Sequence, residues 1–300
     1  MNSAIYGQLI VFQTIAAQGS IAAAARQLEI GSPAVSKSLK QLEEYIGLPL
    51  FNRTTRKLEL TEAGQLLLAN TGDAVQDLKL AVESVQDLGH TARGSVRMTV
   101  PRFAYQCIVR PRMAEFMQRY PEIELEISVD DGDVDILEAG YDVGIRFGDH
   151  IEEGMIARQL MKPFKEGLYV SPAYIAKYGV PKKLEDLPQH KLIGYRLISA
   201  KRILPLGLEN RGEALSVHMP HSIVVNDIEV IHDAVRAGLG IGRVFEPTFR
   251  RLPDPENFVP VLQAYWQSYP GVYLYYLQNS QKAKRIRVLI DFLLENARAA

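Results

Sequence analysis

The chain has a single cysteine, Cys107, among 300 residues. One thiol excludes an internal disulfide and a cysteine-rich zinc site, and it fits a reducing compartment. The N-terminal stretch MNSAIYGQLIVFQTIAAQGS has no basic segment, and Gln8, Gln13 and Gln18 interrupt its apolar residues. A signal peptide is therefore not expected, and no apolar run reaches the length of a membrane span. A cytoplasmic protein is the expectation. Charge is also balanced, at 34 Lys plus Arg against 35 Asp plus Glu. A net charge of -1 decides nothing about partners, because binding depends on where charge sits.

Catalytic and metal motifs are missing as well. No nucleophile elbow or phosphate loop occurs. The glycines of GLGIG, residues 238–242, follow a helix and precede a strand, the reverse of a nucleotide loop, so Gly238 reads as a helix C-cap. His218 and His221 lie in an extended, proline-containing segment, and no cysteine joins them or His232 in a metal set. The carboxylates of VDDGDVD, residues 129–135, read as caps of a helix starting near Asp133. No enzyme activity and no cofactor is expected.

What is present is ordinary globular composition, with 47% hydrophobic and 23% charged residues, in a length that suits two or three domains. Ile5, Leu9, Phe12 and Ala16 repeat at helical spacing. A second helix starts after Gly19 with Ser20 as N-cap and runs through IAAAARQL. After a short turn Ser32 is the expected N-cap of a third helix, with Pro33 at its first position. That helix buries Val35, Leu39, Leu42 and Ile46 and turns Ser32, Ser36, Lys37 and Lys40 outward.

Helix, short turn and helix form a helix-turn-helix, whose second helix can reach phosphates and base edges in a major groove. Two short strands follow, Leu50 to Arg53 and Leu58 to Thr61, joined by the basic tip Arg53, Thr54, Thr55, Arg56 and Lys57. Such a tip would neutralise phosphates on the adjacent backbone. Between Arg26 and Lys57 six basic residues face three glutamates, 6 - 3 = +3, a local basic patch. A solvated helix face is the alternative reading of the same residues.

Thr61 caps a long helix in which Leu67, Thr71, Ala74, Leu78, Ala81, Val85 and Leu88 alternate spacings of four and three. This heptad seam suits a second helix of the same kind, or packing on the chain's own next domain. GHTARGS, residues 89–95, breaks the helix and marks a boundary. Beyond it strands and helices alternate, which argues for an α/β domain with mainly parallel sheets and, over about 205 residues, two lobes with a cleft.

The stretch GSIAAAARQLEIGSPAVSKSLKQLEEYIGLPLFNRTTRKLELTEAG resembles the N-terminal domain of LysR-type transcriptional regulators, through its PAVS, GLPLF and LTEAG motifs. Residues 95–300 are similar to that family's effector domain, which has the periplasmic-binding-protein fold. The resemblance implies an α/β protein divided as a winged helix-turn-helix at 1–61, a dimerisation helix at 62–88, a hinge at 89–94 and an effector domain at 95–300. Lobe I spans about 95–163 and 268–300, and lobe II about 164–267. It further implies a homodimer that pairs into a tetramer, promoter DNA as partner, a small-molecule effector and contact with RNA polymerase.

The candidate DNA-binding residues are Ser20, Ser32, Pro33, Ser36, Lys37, Lys40, Arg53, Thr54, Arg56 and Lys57. Two positions depart from the family: Ile21-Ala22 follows the GS, and Ser32 stands where many members have glutamine. Oxidant-sensing members use a cysteine pair, which one cysteine cannot form. Ligands of such lobes sit at strand C-termini. The candidate effector residues there are Thr99, Pro101, Arg102, Phe103, Arg146, Phe147, Asn226, Asp227, Arg243 and Phe245. Arg146 and Arg102 would hold an anionic effector, with Phe103 and Phe147 as apolar walls; ion pairs within the protein are the alternative for each arginine. A solute-binding protein of transport, or a regulator without an effector, are the rival functions.

Overall fold

The computed structural model describes residues 4–53, 58–86, 91–132, 135–136, 139–151 and 154–297. Three helices open the chain: α1 (Ile5–Gln18), α2 (Ile21–Gln27) and α3 (Ser32–Ile46). Ser20 caps α2 as expected, its hydroxyl accepting from the Ala23 N–H at 3.1 Å. For α3 the expectation needs correction. Gly31 is the N-cap, extended at φ -68° and ψ 143°, and Ser32 is already helical. The Gly31 carbonyl accepts from both Ala34 and Val35, so the backbone alone starts the helix.

Val11, Phe12 and Ile15 of α1, Ala24 and Ala25 of α2, and Val35, Leu39 and Leu42 of α3 form one core with Leu50 and Phe51. Small alanines let α2 approach closely, and the Phe12 and Phe51 rings meet at 5.5 Å. Strands β1 (Phe51–Arg53) and β2 (Leu58–Leu60) pair antiparallel, Phe51 opposite Leu60. Helix α4 (Glu62–Gln86) then starts from Thr61, whose hydroxyl accepts from Gly64 N–H at 3.0 Å and donates to the Pro49 carbonyl. Gly64 has no substitute here: a Cβ would lie 2.2 Å from the Leu50 carbonyl oxygen.

Along α4 the expected seam divides. Leu67 and Leu68 pack on the N-terminal core, and Thr71 accepts from Gln13 at 3.2 Å. Leu80 is fully buried in the core of the next domain. Leu78, Val82 and Val85 are 54%, 60% and 67% exposed on another face. Leu88 lies outside the described residues.

Lobe I is a five-stranded sheet built from β3 (Gly94–Val100), β4 (Ile123–Val129), β5 (Val143–Phe147), β6 (Ile156–Met161) and β15 (Val272–Tyr276) in the order β4-β3-β5-β15-β6. Strand β3 runs parallel to β4 and β5, whereas β15 is antiparallel to β5 and β6. Helices α5 (Arg102–Ala104), α6 (Met113–Arg119) and α10 (Lys284–Ala297) belong to this part of the chain. The single helix expected from about 105 to 120 instead begins at Arg102 and passes through a π-helical turn at Tyr105–Val109. The helix expected at VDILEAG has three residues outside the described set; Asp135, Ile136, Ala139 and Gly140 lie in no regular helix.

Lobe II begins where the chain leaves β6 for β7 (Phe164–Val170), followed by α7 (Pro172–Tyr178), β8 (Leu192–Tyr195), the hairpin β9 (Leu206–Asn210) and β10 (Glu213–Val217), and β11 (His221–Val225). Then come α8 (Ile228–Arg236), β12 (Gly242–Phe245), α9 (Glu246–Phe249), β13 (Val259–Val261) and β14 (Gln267–Tyr269). Strand β7 is central and pairs antiparallel with β12, β13 and β14, while β11 lies parallel to β8. Its side chains alternate between two cores, Leu168 and Val170 on one side and Tyr169 on the other. The sheets are thus mixed rather than mainly parallel. Short hairpin connections such as β9–β10 supply antiparallel pairs that a count of strand–helix alternation misses.

Among the described residues no single helix is long and apolar enough to cross a membrane.

Candidate DNA-binding face and effector cleft

Burying Val35, Leu39 and Leu42 fixes which side of α3 is left outside. Ser32, Pro33, Lys37 and Lys40 are exposed there, with Ser36 half-buried beside them. Lys40 reaches Glu44 at 3.7 Å, with the two side chains 73% and 63% exposed. Such a pair is worth about 0.5 kcal/mol or less, so exchanging the carboxylate for a phosphate costs Lys40 little. Ser20 is exposed, and its oxygen is engaged with the α2 backbone. Arg53 ends β1, paired with Leu58; Thr54, Arg56 and Lys57 lie outside the described residues. Glu43 turns inward, accepting from Leu50 N–H at 2.8 Å, and so ties α3 to the start of the hairpin.

In the second half, strand ends of the two lobes meet. Arg146 on β5 is 6% exposed. Its guanidinium donates to the carbonyls of Ile145 at 2.8 Å and Gly132 at 3.2 Å and to the Thr99 hydroxyl at 3.1 Å. Thr99 is itself fully buried. Among the described residues no carboxylate pairs with Arg146. Arg102, one residue past Pro101 at the start of α5, lies 3.6 Å from Asp227, the N-cap of α8 in lobe II. Asp131 joins the same place twice, accepting from the Arg102 N–H at 2.8 Å and from the Tyr195 hydroxyl at 3.2 Å. Gln106 reaches Glu229 across the lobes. Asn226, next to Asp227, is exposed.

Arg243 is 5% exposed and donates to the Pro205 carbonyl at 3.1 Å. It sits near Glu166, whose carboxyl is pushed up by burial and held back by the Arg243 charge and a hydrogen bond from Tyr269. Burial and the neighbouring Asp131 carboxylate raise the Tyr195 hydroxyl, keeping it protonated as a donor.

Phe103 and Phe147, expected as apolar walls for the effector, and the candidate Phe245 pack instead on one another. Phe103 is 2% exposed and meets Phe245 at 4.6 Å, Phe164 at 5.1 Å and Phe147 at 6.0 Å. Tyr269 completes the cluster, 5.0 Å from Phe245. These rings sit where the chain crosses between lobes, so Phe103 is occupied in joining them.

Asp131, Tyr195, Gln106, Glu229 and Glu166 were absent from the sequence expectation. Asp131 had a local signal, the VDDGDVD run, but its ends bond an α5 N–H and a lobe II hydroxyl rather than a following helix. An open depression of about 550 Å³, lined by Phe164, Lys165, Glu246, Gln263 and Trp266 among others, shares no residue with the cleft set. Cys107 is buried, 3.8 Å from the Thr248 hydroxyl, and burial pushes its thiol up, away from the reactive thiolate.

Residues 6–65 match the family model described as bacterial regulatory helix-turn-helix protein, lysR family, and residues 89–298 match the LysR substrate binding domain. The chain is similar to the probable HTH-type transcriptional regulator LtrA of Klebsiella pneumoniae, with 30% identity over 303 residues covering 100% of this chain and 97% of that protein. HTH-type transcriptional regulator PgrR of Escherichia coli is 29% identical over 285 residues, 95% of each chain. The full-length structure of AphB, a virulence activator of Vibrio cholerae, superposes with a TM-score of 0.61 at 26% identity, covering 96% of this chain and 98% of that one.

Proposed function

The chain belongs to the LysR family of bacterial transcriptional regulators, and from that premise we propose how its own residues meet DNA and effector. It is a DNA-binding regulator with a substrate-binding domain that takes a small molecule, and it is not an enzyme. The outer face of α3 enters the major groove with Ser32, Pro33, Ser36, Lys37 and Lys40, and Ser20 approaches the backbone from the start of α2. Arg53, Thr54, Arg56 and Lys57 take the neighbouring phosphates. The observation that carries this reading is the division of α3 itself: its apolar side is consumed by the core, while its lysines stand in water. The match over residues 6–65 sets aside a transport protein.

The functional units follow 1–61, 62–88, 89–94 and 95–300, with the lobes changing between Met161 and Phe164 and again between Tyr269 and Val272, where the chain passes from one sheet to the other. The regulator assembles through α4 into a dimer, and two dimers form the tetramer that engages RNA polymerase at a promoter in the cytoplasm. Its effector is anionic. Arg146 and Thr99 form the seat, with Pro101, Arg102, Asn226, Asp227 and Arg243 around it. A buried guanidinium without a carboxylate is costly, and a bound anion would offset that cost.

A salt titration tests the DNA half. Affinity for promoter DNA should fall steeply with salt, and Lys37→Ala should reduce the slope of log K against log salt by about 1, the contribution of one phosphate contact. A slope unchanged by the substitution removes Lys37 from the interface.

A further inference from the structure

We infer that the effector is a zwitterion, with a carboxylate for Arg146 and an ammonium for Asp131 and Asp227. The inference rests on the anion seat proposed above. Its starting point is the contrast between the two sides of the cleft. On the lobe I side Arg146 is more than nine-tenths buried and uses three N–H bonds, all to neutral acceptors: the Ile145 and Gly132 carbonyls and the Thr99 hydroxyl. A guanidinium carries five N–H groups, so two are left without an acceptor among the described residues. The two left over are the Nε–H and one Nη1–H, and with the charge they call for an oxyanion such as a carboxylate.

The opposite requirement lies close by. Gly132, whose carbonyl holds Arg146, directly follows Asp131, so the anion seat and this carboxylate share one turn. Across from them stands Asp227 at the N-cap of α8. Arg102 is the cation beside this pair. It reaches Asp227 at 3.6 Å and touches Asp131 only through its backbone N–H. Arg102 thus makes its one ion pair with Asp227, and among the described residues Asp131 meets only a backbone N–H and the Tyr195 hydroxyl, neither of them charged. Each of these carboxylate oxygens already accepts or faces one donor, and each has a second lone pair free for another. Tyr195 stays protonated and aimed at Asp131, so it adds a donor and no positive charge. Lobe closure further confines the space: a Cβ on Gly132 would lie 2.8 Å from the Ser199 hydroxyl of lobe II.

Such a site discriminates by repulsion as well as attraction. A simple carboxylate satisfies Arg146 and leaves Asp131 and Asp227 short of a cation. A dicarboxylate brings its second charge against two like charges. A primary amine alone leaves Arg146 unfilled. A compact amino acid answers both sides, with the ammonium adding the cation that Arg102 gives to Asp227 but not to Asp131.

Thermal-shift and calorimetric titration of the full chain test this with a defined panel. The probes are the twenty L-amino acids of proteins with β-alanine and γ-aminobutyrate, their deamino counterparts, succinate and glutarate, and simple primary amines. At least one amino acid should bind, and removing its amine should weaken it about ten- to a hundredfold, the range of one charged hydrogen bond. Asp227→Asn keeps a capping side chain on α8. It should weaken the amino acid by a similar factor and leave the deamino acid unchanged, while Arg146→Ala should abolish both. Asp131→Asn provides a second carboxylate variant, and retained promoter binding by each variant shows that the chain is folded. Equal or tighter binding of deamino acids or dicarboxylates overturns the zwitterion and leaves the anion seat standing. Binding of amines that survives Arg146→Ala overturns both. No response to any amino acid in the panel overturns the zwitterion, while promoter binding still reports on the regulator itself.

Discussion

Arg236 closes on Asp254 through two parallel bonds, Nε to Oδ2 at 2.8 Å and Nη2 to Oδ1 at 2.9 Å, and Asn257 donates to the same carboxylate at 3.0 Å. The hydrogen bond from Arg236, followed by that from Asn257, lowers the Asp254 carboxyl from 3.8 to about 2. A fall of that size corresponds to about 2.5 kcal/mol at full strength. Both side chains stay partly in water, 29% and 22% exposed, and screening reduces the figure to about 1 kcal/mol. Because the folded value lies below the unfolded one, the contribution is complete above about pH 4 and is lost as pH falls toward 2. Asp254→Asn should therefore lower the urea midpoint near neutral pH, and the gap to the parent should narrow steadily between about pH 4 and pH 2. A gap that stays constant through acid would assign the loss to packing instead. At the same scale, the Ser20 cap was readable from the sequence because a cap bonds within three residues. The cleft partners were not: Asp131 finds Tyr195 64 residues away, and Gln106 finds Glu229 at a separation of 123. No local pattern can report a pair assembled by two lobes.

Helix α4 carries different instructions on different faces. Leu67 belongs to the winged domain, Leu80 to lobe I, and Leu78, Val82 and Val85, spaced by four and three, form an apolar row left in water. Such a row on a regulator is the surface a second α4 would cover. Introducing charge with Leu78→Glu and Val85→Glu should weaken self-association at least about a hundredfold, since each buried unpaired carboxylate costs several kcal/mol. Sedimentation would record the lost mass, and an unchanged mass would remove α4 from the interface. Leu80→Ala, two residues along, should keep the mass and destabilise the effector domain by about 3 kcal/mol. Periodicity made this helix legible in the sequence. It could not tell which apolar positions its own domains would use, because that depends on where lobe I docks. Long helices and alternating strands such as β3, β4 and β15 were legible for the same reason. Strands β9, β10, β13 and β14 were not, because they are at most five residues long: β9 and β10 find only each other in a two-stranded hairpin, and β13 and β14 are placed by pairing on β7.

Across the whole molecule the core of the winged domain and the core of lobe I are kept apart. One gathers α1, α2, α3 and the hairpin, and another fills lobe I, with α4 as the element that contributes to both. The two lobes, by contrast, are joined. The chain crosses between them at 161–164 and 269–272, and the rings of Phe103, Phe147, Phe164, Phe245 and Tyr269 pack over those crossings. Phe245 enters from β12 of lobe II and packs against the lobe I core. A ring shared in this way makes the lobes melt together, since neither can open without exposing the other's aromatic surface. The N-terminal core shares none of these rings. Phe245→Ala should remove about 3 kcal/mol from the effector domain, a fall in its melting temperature of about 6–12 °C for a domain of this size. The effector domain should still unfold in one transition, and the transition of the winged domain should not move. Calorimetry separates the alternatives: two effector-domain transitions in the parent chain would show lobes that fold independently. A shift of the winged transition would show that α4 transmits stability from one core to the other.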